Sequence, residues 1–328
     1  MLLPLEKPPI SVLFCADGRY YQHMAVTIAS LLKNNSKHQF QLIAVLNERN
    51  PTAEQQIRRT VESFKNAEIE FKTFDSQPIA HFRVDRHITV ASYLRLFMTQ
   101  FLNPDVEKVL YLDCDLIVRD DIGDLWATDV SQYFLAAVAD PYSDNHVNLG
   151  FAEDEPYFNA GVLLVNLAKW RKADVVPKFI RFIEENSAIL QYHDQCTLNA
   201  VFRGQVLLLP HRWNFAARNA DLPAKALGLR RSEFLALRKN PSILHYTTNV
   251  KPWLYVYEPH YKQLYYEYLA LTPWRSFRAT DRTPRAITER LLRMERLKEV
   301  IRWNAPGLFR SICRFTGLGD PMLRKLAG

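Results

Sequence analysis

Asp113 and Asp115 stand one residue apart at the end of the apolar run Val109-Leu110-Tyr111-Leu112, and a second apolar run follows. In an extended backbone, residues two apart point the same way, so both carboxylates can converge on one hard cation, Mg²⁺ or Mn²⁺. A cation held by one or two carboxylates keeps positions open for water and phosphates, as holding a nucleotide diphosphate requires. Two rival readings exist for the triplet. One is a solvated turn or helix cap. The other is an aspartyl phosphatase, whose motif places Gly and then Thr or Val after the second Asp; this chain has Leu116 and Ile117 there.

Other residues offer chemistry more weakly. Arg95 sits inside an apolar-periodic segment, where it is either a snorkelling surface side chain or a partner for a diphosphate or carboxylate. Tyr192-His193-Asp194-Gln195-Cys196-Thr197 opens a helix with polar groups gathered at its start. His245 ends the short apolar run Ile243-Leu244-His245-Tyr246, and Lys251 follows six residues later. A lone His at a strand end is usually structural, but the nearby lysine raises the case for a phosphate site. Asp120, Asp121 and Asp124 precede Leu125-Trp126, and acids at a helix start complement its dipole, so they read as structural.

The elements that must hold these groups alternate. Residues 10–16, 40–46 and 69–74 read as strands, and 21–32 and 51–64 as helices between them. Residues 92–102 read as another helix, 134–139 as a strand ending at Asp140, and 158–166 as an apolar strand entered through small residues. A long amphipathic helix is expected over 170–190 and a short strand over 207–209. Alternation of this kind predicts a parallel sheet covered by helices, with ligands bound beyond the carboxyl ends of its strands. No Gly-x-Gly-x-x-Gly follows the first strand and no Gly-Lys-Ser/Thr loop occurs, which argues against dinucleotide binding and phosphate-loop ATPase chemistry.

The basic charge is local. Residues 275–328 carry 13 Lys and Arg against 5 Asp and Glu, whereas the rest of the chain, with 29 against 30, is nearly neutral. Cys15, Cys114, Cys196 and Cys313 are scattered without a Cys-x-x-Cys pair, so a reducing compartment is expected rather than a disulfide framework or zinc site. Residues 1–9 are too short and proline-rich for a signal peptide, and no apolar stretch approaches the ~20 residues of a membrane helix. A cytoplasmic protein is expected.

Taken in order, six segments resemble glycosyltransferase family eight, retaining enzymes of the kind that build bacterial lipopolysaccharide. They are Phe14-Cys15-Ala16-Asp17, Ala91-Ser92-Tyr93-Leu94-Arg95-Leu96, Leu110-Tyr111-Leu112-Asp113-Cys114-Asp115, Phe158-Asn159-Ala160-Gly161-Val162, His193-Asp194-Gln195, and His245-Tyr246 with Lys251-Pro252-Trp253. The resemblance spans residues 10–253. It implies a Rossmann-like, GT-A-type α/β core over residues 1–272, followed by a basic helical region over 273–328. It implies a UDP-hexose donor and a metal held by Asp113, Asp115 and His245; the imidazole favours Mn²⁺ over Mg²⁺. By the same resemblance Cys15, Ala16, Asp17, Arg95, Cys114, Asp140, Asn159, Ala160 and Lys251 contact the donor, with Asp17 accepting the uracil N–H and Lys251 on the diphosphate. Gln195 and Asp194 are the catalytic candidates. Departures are Gly18 and Arg19 where many members have Asp and Asn, and Thr247-Thr248-Asn249 where the family has a glycine.

An amide is a poor nucleophile, so same-face attack is the expected route to retention, with Asp194 as nucleophile in the rival double displacement. The acceptor is expected to be an oligosaccharide or a lipid-linked saccharide. A degenerate sugar-nucleotide-binding protein is the alternative. Nucleic acid is excluded as a partner, because the basic tail lacks the glycine and aromatic interleaving of single-strand binders. In that tail Ile287, Leu291, Met294, Leu297 and Ile301 form one helical stripe flanked by arginines. It is either a helix packed on the catalytic domain or a peripheral anchor on anionic lipid at the inner face of the membrane.

Overall fold

The computed structural model describes residues 8–74, 79, 81–82, 90–141, 147–152, 155–255, 260–279, 281–284 and 286–287. In chain order the strands are β1 Ile10–Ala16, β2 Phe40–Leu46, β3 Ala67–Thr73, β4 Lys108–Leu112, β5 Leu116–Val118, β6 Leu135–Ala139, β7 Phe158–Asn166, β8 Val206–Leu209, β9 Phe215–Ala216 and β10 Ile243–His245. The helices are α1 Tyr21–Asn34, α2 Pro51–Glu62, α3 Val90–Tyr93, α4 Met98–Phe101, α5 Gly123–Ala127, α6 Leu167–Lys172, α7 Val175–Asn186, α8 His193–Val201, α9 Arg231–Lys239 and α10 Lys262–Leu269.

The larger sheet has the order β3-β2-β1-β4-β7-β6-β8. Alternate residues of β1 enter opposite layers: Val12 and Phe14 pack with α1 and α2, while Leu13 and Cys15 pack with α3, α4 and α6 to α8. Burial on both faces is why these strands read as continuous apolar runs. Strand β3 is the exception, with Glu68, Glu70 and Lys72 alternating along an edge that charge keeps from pairing further. Asn50 caps α2 by accepting the Ala53 N–H at 3.0 Å, and Pro51 pre-sets its first turn.

Three expectations are corrected. The sheet is mixed, because β7 runs antiparallel to both β4 and β6. Among the described residues, only a single short turn, Val147–Leu149, intervenes between β6 and β7, whereas a parallel pair needs a full crossover. The helix expected over 92–102 is broken into α3, a tighter turn over Leu94–Phe97, and α4. There Arg95 Nε donates to Ser92 O at 3.1 Å, and Ser92 O is the carbonyl that residue 96 would use in a continuous helix. The helix expected over 170–190 is α6 and α7, separated at Asp174, whose φ is 43°. Pro177 explains the break, since its ring would strike the carbonyl of Ala173 in an unbroken helix.

A second, three-stranded sheet has the order β5-β10-β9, with β10 antiparallel to β5 and parallel to β9. Asp120 belongs to this scaffold: its Oδ2 accepts from Ser242 Oγ at 2.9 Å, and Arg212 Nε donates to the same hydroxyl at 2.6 Å.

The chain divides into two compact units, Met1–Asn249 with Gln263–Phe277, and Val250–Lys262 with Arg278–Gly328. In the second, Tyr255 N–H donates to Asp281 Oδ1 at 2.7 Å, and Lys262 Nζ donates to Leu254 O at 2.8 Å. Beyond Ile287, the tail stripe predicted from sequence lies outside the described residues. No helix among the described residues is long and apolar enough to cross a membrane.

Candidate active site

Strands β1, β4 and β6 share one direction, so the residues that follow them, Asp17, Asp113 and Asp140, emerge at the same edge of the sheet. Antiparallel β7 starts at that edge with Phe158-Asn159-Ala160-Gly161. Its register against β6 jumps from Ala137↔Leu163 to Val138↔Asn159, a bulge that re-aims Asn159. The crevice beyond the strand ends is therefore built by topology.

At its centre, Asp113 N–H donates to Gly161 O at 2.8 Å, extending the β4–β7 ladder by one residue. The Asp113 side chain divides its two oxygens. Oδ1 accepts from the Tyr111 hydroxyl at 2.7 Å and lies 2.8 Å from Arg95 Nη2, while Oδ2 lies 3.7 Å from His245 Nε2. Asp115 Oδ1 lies 3.2 Å from the same imidazole nitrogen. Thr27 secures the intervening turn, its hydroxyl within 3.0 Å of the Cys114 and Leu116 carbonyls and accepting the Leu116 N–H at 3.2 Å. His245 is delivered by β10, where it pairs with Leu116 on one side and Ala216 on the other.

One ligand atom from each of Asp113, Asp115 and His245 lies within 4.8 Å of the others. Two carboxylate oxygens and an imidazole nitrogen suit a divalent ion that accepts nitrogen as well as oxygen, such as Mn²⁺. Gly161 keeps the space: a Cβ there would stand 2.2 Å from His245 Cε1 and 2.8 Å from Asp113 Oδ2. The residues present fit a metal.

Beside this cluster lies a buried polar network. Arg95, 7% exposed, places Nη1 2.7 Å from Ala160 O, Nη2 on Asp113 and Nε 3.0 Å from Asp194 Oδ2, with its guanidinium 4.5 Å from the Tyr111 ring. It is a crevice residue, not a surface one. Burial opposes its charge, yet Asp113 and Asp194 outweigh that and hold it firmly cationic. Burial also pushes the Asp194 carboxyl up to about 6, against the pull of Arg95. Gln195 Oε1 accepts two donors, Ala160 N–H at 3.0 Å and Asn159 Nδ2 at 3.2 Å.

The remaining candidates are placed as follows. Asp17 is buried and accepts from Arg19 through both oxygens, from the backbone N–H at 2.9 Å and Nη2 at 3.0 Å. Asp140 lies 3.4 Å from Arg218 Nη2. The thiols of Cys15 and Cys114 point into the core, Cys114 Sγ donating to Cys15 O at 3.5 Å, so these residues and Ala16 offer a ligand their backbone. Lys251 belongs to the second compact unit, its ammonium 5.7 Å from the Trp253 ring centroid. Sequence reasoning missed Tyr111, Asn214 and Arg218. Tyr111 carried a signal, since it precedes Asp113 by two and so shares its side of the strand. Asn214 and Arg218 carried none.

The family model for Glycosyl transferase family 8 matches residues 11–256. The chain belongs to glycosyltransferase family 8. This family 8 chain is 29% identical over 273 residues to General stress protein A of Bacillus subtilis, covering 81% of this chain and 94% of that protein. It is 23% identical over 291 residues to a lipopolysaccharide 1,2-glucosyltransferase of Escherichia coli, covering 83% and 81%. Among solved structures, galactosyltransferase LgtC in complex with donor and acceptor sugar analogues superposes with a TM-score of 0.72 at 27% identity, covering 80% of this chain and 96% of that one. The glycosyltransferase GlyE of Streptococcus pneumoniae gives 0.62 at 26% identity, covering 80% and 60%. The fold is the GT-A type of the family 8 enzymes.

Proposed function

We propose that the protein is a metal-dependent retaining hexosyltransferase that moves glucose or galactose from a UDP-sugar to a saccharide acceptor, in lipopolysaccharide or other cell-surface glycan synthesis. The cluster of Asp113, Asp115 and His245 beside Arg95, Asp194 and Gln195 carries this reading. The likeness to a lipopolysaccharide glucosyltransferase and to a galactosyltransferase supports the sugar class.

A divalent cation such as Mn²⁺, when bound, would supply Lewis acidity to the departing diphosphate. Asp113, Asp115 and His245 would hold it, and Arg95 and Tyr111 keep Asp113 turned so that Oδ2 faces the cluster. By the family resemblance, Lys251 would add a cation to the diphosphate. Asp17 orients the uracil, and Arg95, Asp140, Asn159, Asp194 and Gln195 line the sugar. The anomeric carbon–oxygen bond to the diphosphate breaks and a bond to the acceptor oxygen forms on the same face. The acceptor's proton passes to the leaving phosphate oxygen. Two details favour this route over double displacement. Gln195 Oε1 is committed to two donors, and Asp194 is held in an ion pair by Arg95.

Residues 1–272 form the catalytic domain in this proposal. The basic region 273–328 would hold the enzyme peripherally on anionic lipid at the inner face of the membrane, where a lipid-linked acceptor sits; that part rests on the sequence pattern. The test of the activity is Mn²⁺-dependent hydrolysis of UDP-glucose and UDP-galactose by the full chain. Turnover of one donor that EDTA abolishes and Mn²⁺ restores is expected. Tight donor binding without turnover would instead identify a degenerate binding protein.

A further inference from the structure

A chain of side-chain hydrogen bonds runs from the metal cluster to the catalytic amide. His245 Nδ1 lies 2.9 Å from Asn214 Oδ1, Asn214 Nδ2 donates to Asn159 Oδ1 at 2.8 Å, and Asn159 Nδ2 donates to Gln195 Oε1 at 3.2 Å. His245 and Asn214 are both buried, so the bond between them is formed away from bulk water.

Two backbone groups fix the direction of the chain. Gly161 N–H donates to Asn159 Oδ1 at 3.0 Å, and Ala160 N–H donates to Gln195 Oε1 at 3.0 Å. A backbone N–H cannot accept, so both of those side-chain atoms are carbonyl oxygens. Asn214 must then give its NH₂ to Asn159 and its oxygen to His245. His245 Nδ1 must in turn carry the proton. In the neutral imidazole that tautomer turns the Nε2 lone pair toward Asp113 and Asp115, where a cation would sit.

We infer that Asn214 is a positioning residue with two tasks: it sets the tautomer and ring orientation of His245 for a divalent cation, and through Asn159 it ties that ligand to Gln195. The inference rests on the metal-dependent reading above. Partners of this kind, bonded to the far nitrogen of a ligating histidine, typically change metal affinity 10- to 100-fold when removed, on the order of magnitude of measured cases.

The experiment measures equilibrium Mn²⁺ binding to the full chain without sugar nucleotide, from the EPR signal of free Mn²⁺, alongside kcat and KM for donor hydrolysis. Asn214→Ala removes the acceptor for Nδ1–H and is expected to weaken Mn²⁺ binding about 10- to 100-fold. Asn214→Asp keeps that acceptor but sets an oxygen against Asn159 Oδ1. It is expected to bind Mn²⁺ at least as tightly as wild type while kcat falls and the donor KM holds. Asn214→Ala binding Mn²⁺ within about threefold of wild type would overturn the inference. If Asn214→Ala does not fold, Asn214→Asp decides alone: weaker Mn²⁺ binding, or unchanged turnover, sinks it. Wild-type protein that binds no Mn²⁺ fails the metal reading itself, a separate result from failure of the Asn214 role.

Discussion

The two halves of the site balance their charge in different ways. On one side Arg95, buried among Asp113, Asp194 and the Ala160 and Ser92 carbonyls, has Nε, Nη1 and Nη2 all engaged. Charge and hydrogen bonding are met there by protein. On the other side Asp113 and Asp115 converge on a single imidazole, and a glycine keeps the space beside them open. Asp113 belongs to both halves, with one oxygen turned to each. The satisfied half thus orients Asp113 toward the half whose residues fit a cation. Fixing a ligand through outer partners is how a protein makes a metal site rigid before the metal arrives.

Closing the open half should have the largest effect. Gly161→Ala puts a Cβ where His245 Cε1 and Asp113 Oδ2 leave 2.2 and 2.8 Å. Strand β7 is paired on both sides, so the fold should hold while the ring is displaced. Metal assistance amounts to several kcal/mol, so donor hydrolysis should fall on the order of 10³-fold or more. Mn²⁺ titration and circular dichroism on the same sample check this; wild-type Mn²⁺ binding by the variant would show that the space is not needed.

Breaking the satisfied half should act on stability as well as turnover. Arg95→Leu leaves two carboxylates facing an apolar side chain in place of a guanidinium. Removing one partner of a buried ion pair costs about 3–5 kcal/mol, and here the loss should appear in the urea midpoint. Added Mn²⁺ should recover part of it, because Asp113 then regains a cation through Oδ2, whereas Asp194 does not. Recovery of the full loss by Mn²⁺ would mean that the Asp194 pair contributes nothing.

How much of this could be read from sequence follows from the range of each interaction. The direction shared by Asp113 and Asp115 is a local property of an extended backbone, and Tyr111 falls under the same rule. His245 was different, since it reaches the cluster through β10 in a second sheet, paired with the distant β5; its place at a strand end before Lys251 was a weak signal, and its role as a third ligand came from family resemblance. An apolar run looks the same in either direction, so the reversal of β7 was invisible. The break before α7 was visible in Pro177, but the amphipathic pattern on both sides masked it. The direction of the Asn214 amide depends on backbone N–H groups on another strand, and no spacing rule reaches that far.

The smallest expected effect is a pH dependence that separates the halves without substituting Asp113, Asp115 or His245. Burial pushes Asp194 up to about 6, so it is protonated in mildly acidic solution. If its negative charge supports the developing positive charge on the sugar, kcat at saturating Mn²⁺ should fall on the acid side, by about tenfold per pH unit at the limit. Stability should move the other way. An ordinary Asp in the unfolded chain titrates near ~3.9, so between pH ~4 and ~6 the folded protein binds more protons than the unfolded one. The contribution of Asp194 to stability is therefore full below pH ~4 and is lost as pH rises through about 6. General acid unfolding would drive activity and stability down together. Asp194→Asn should lose both trends, with a low, flat kcat and an unfolding free energy that no longer declines across that window. Retention of the acid limb of kcat in Asp194→Asn would assign that limb to another group and leave Asp194 an ion-pair partner of Arg95 alone.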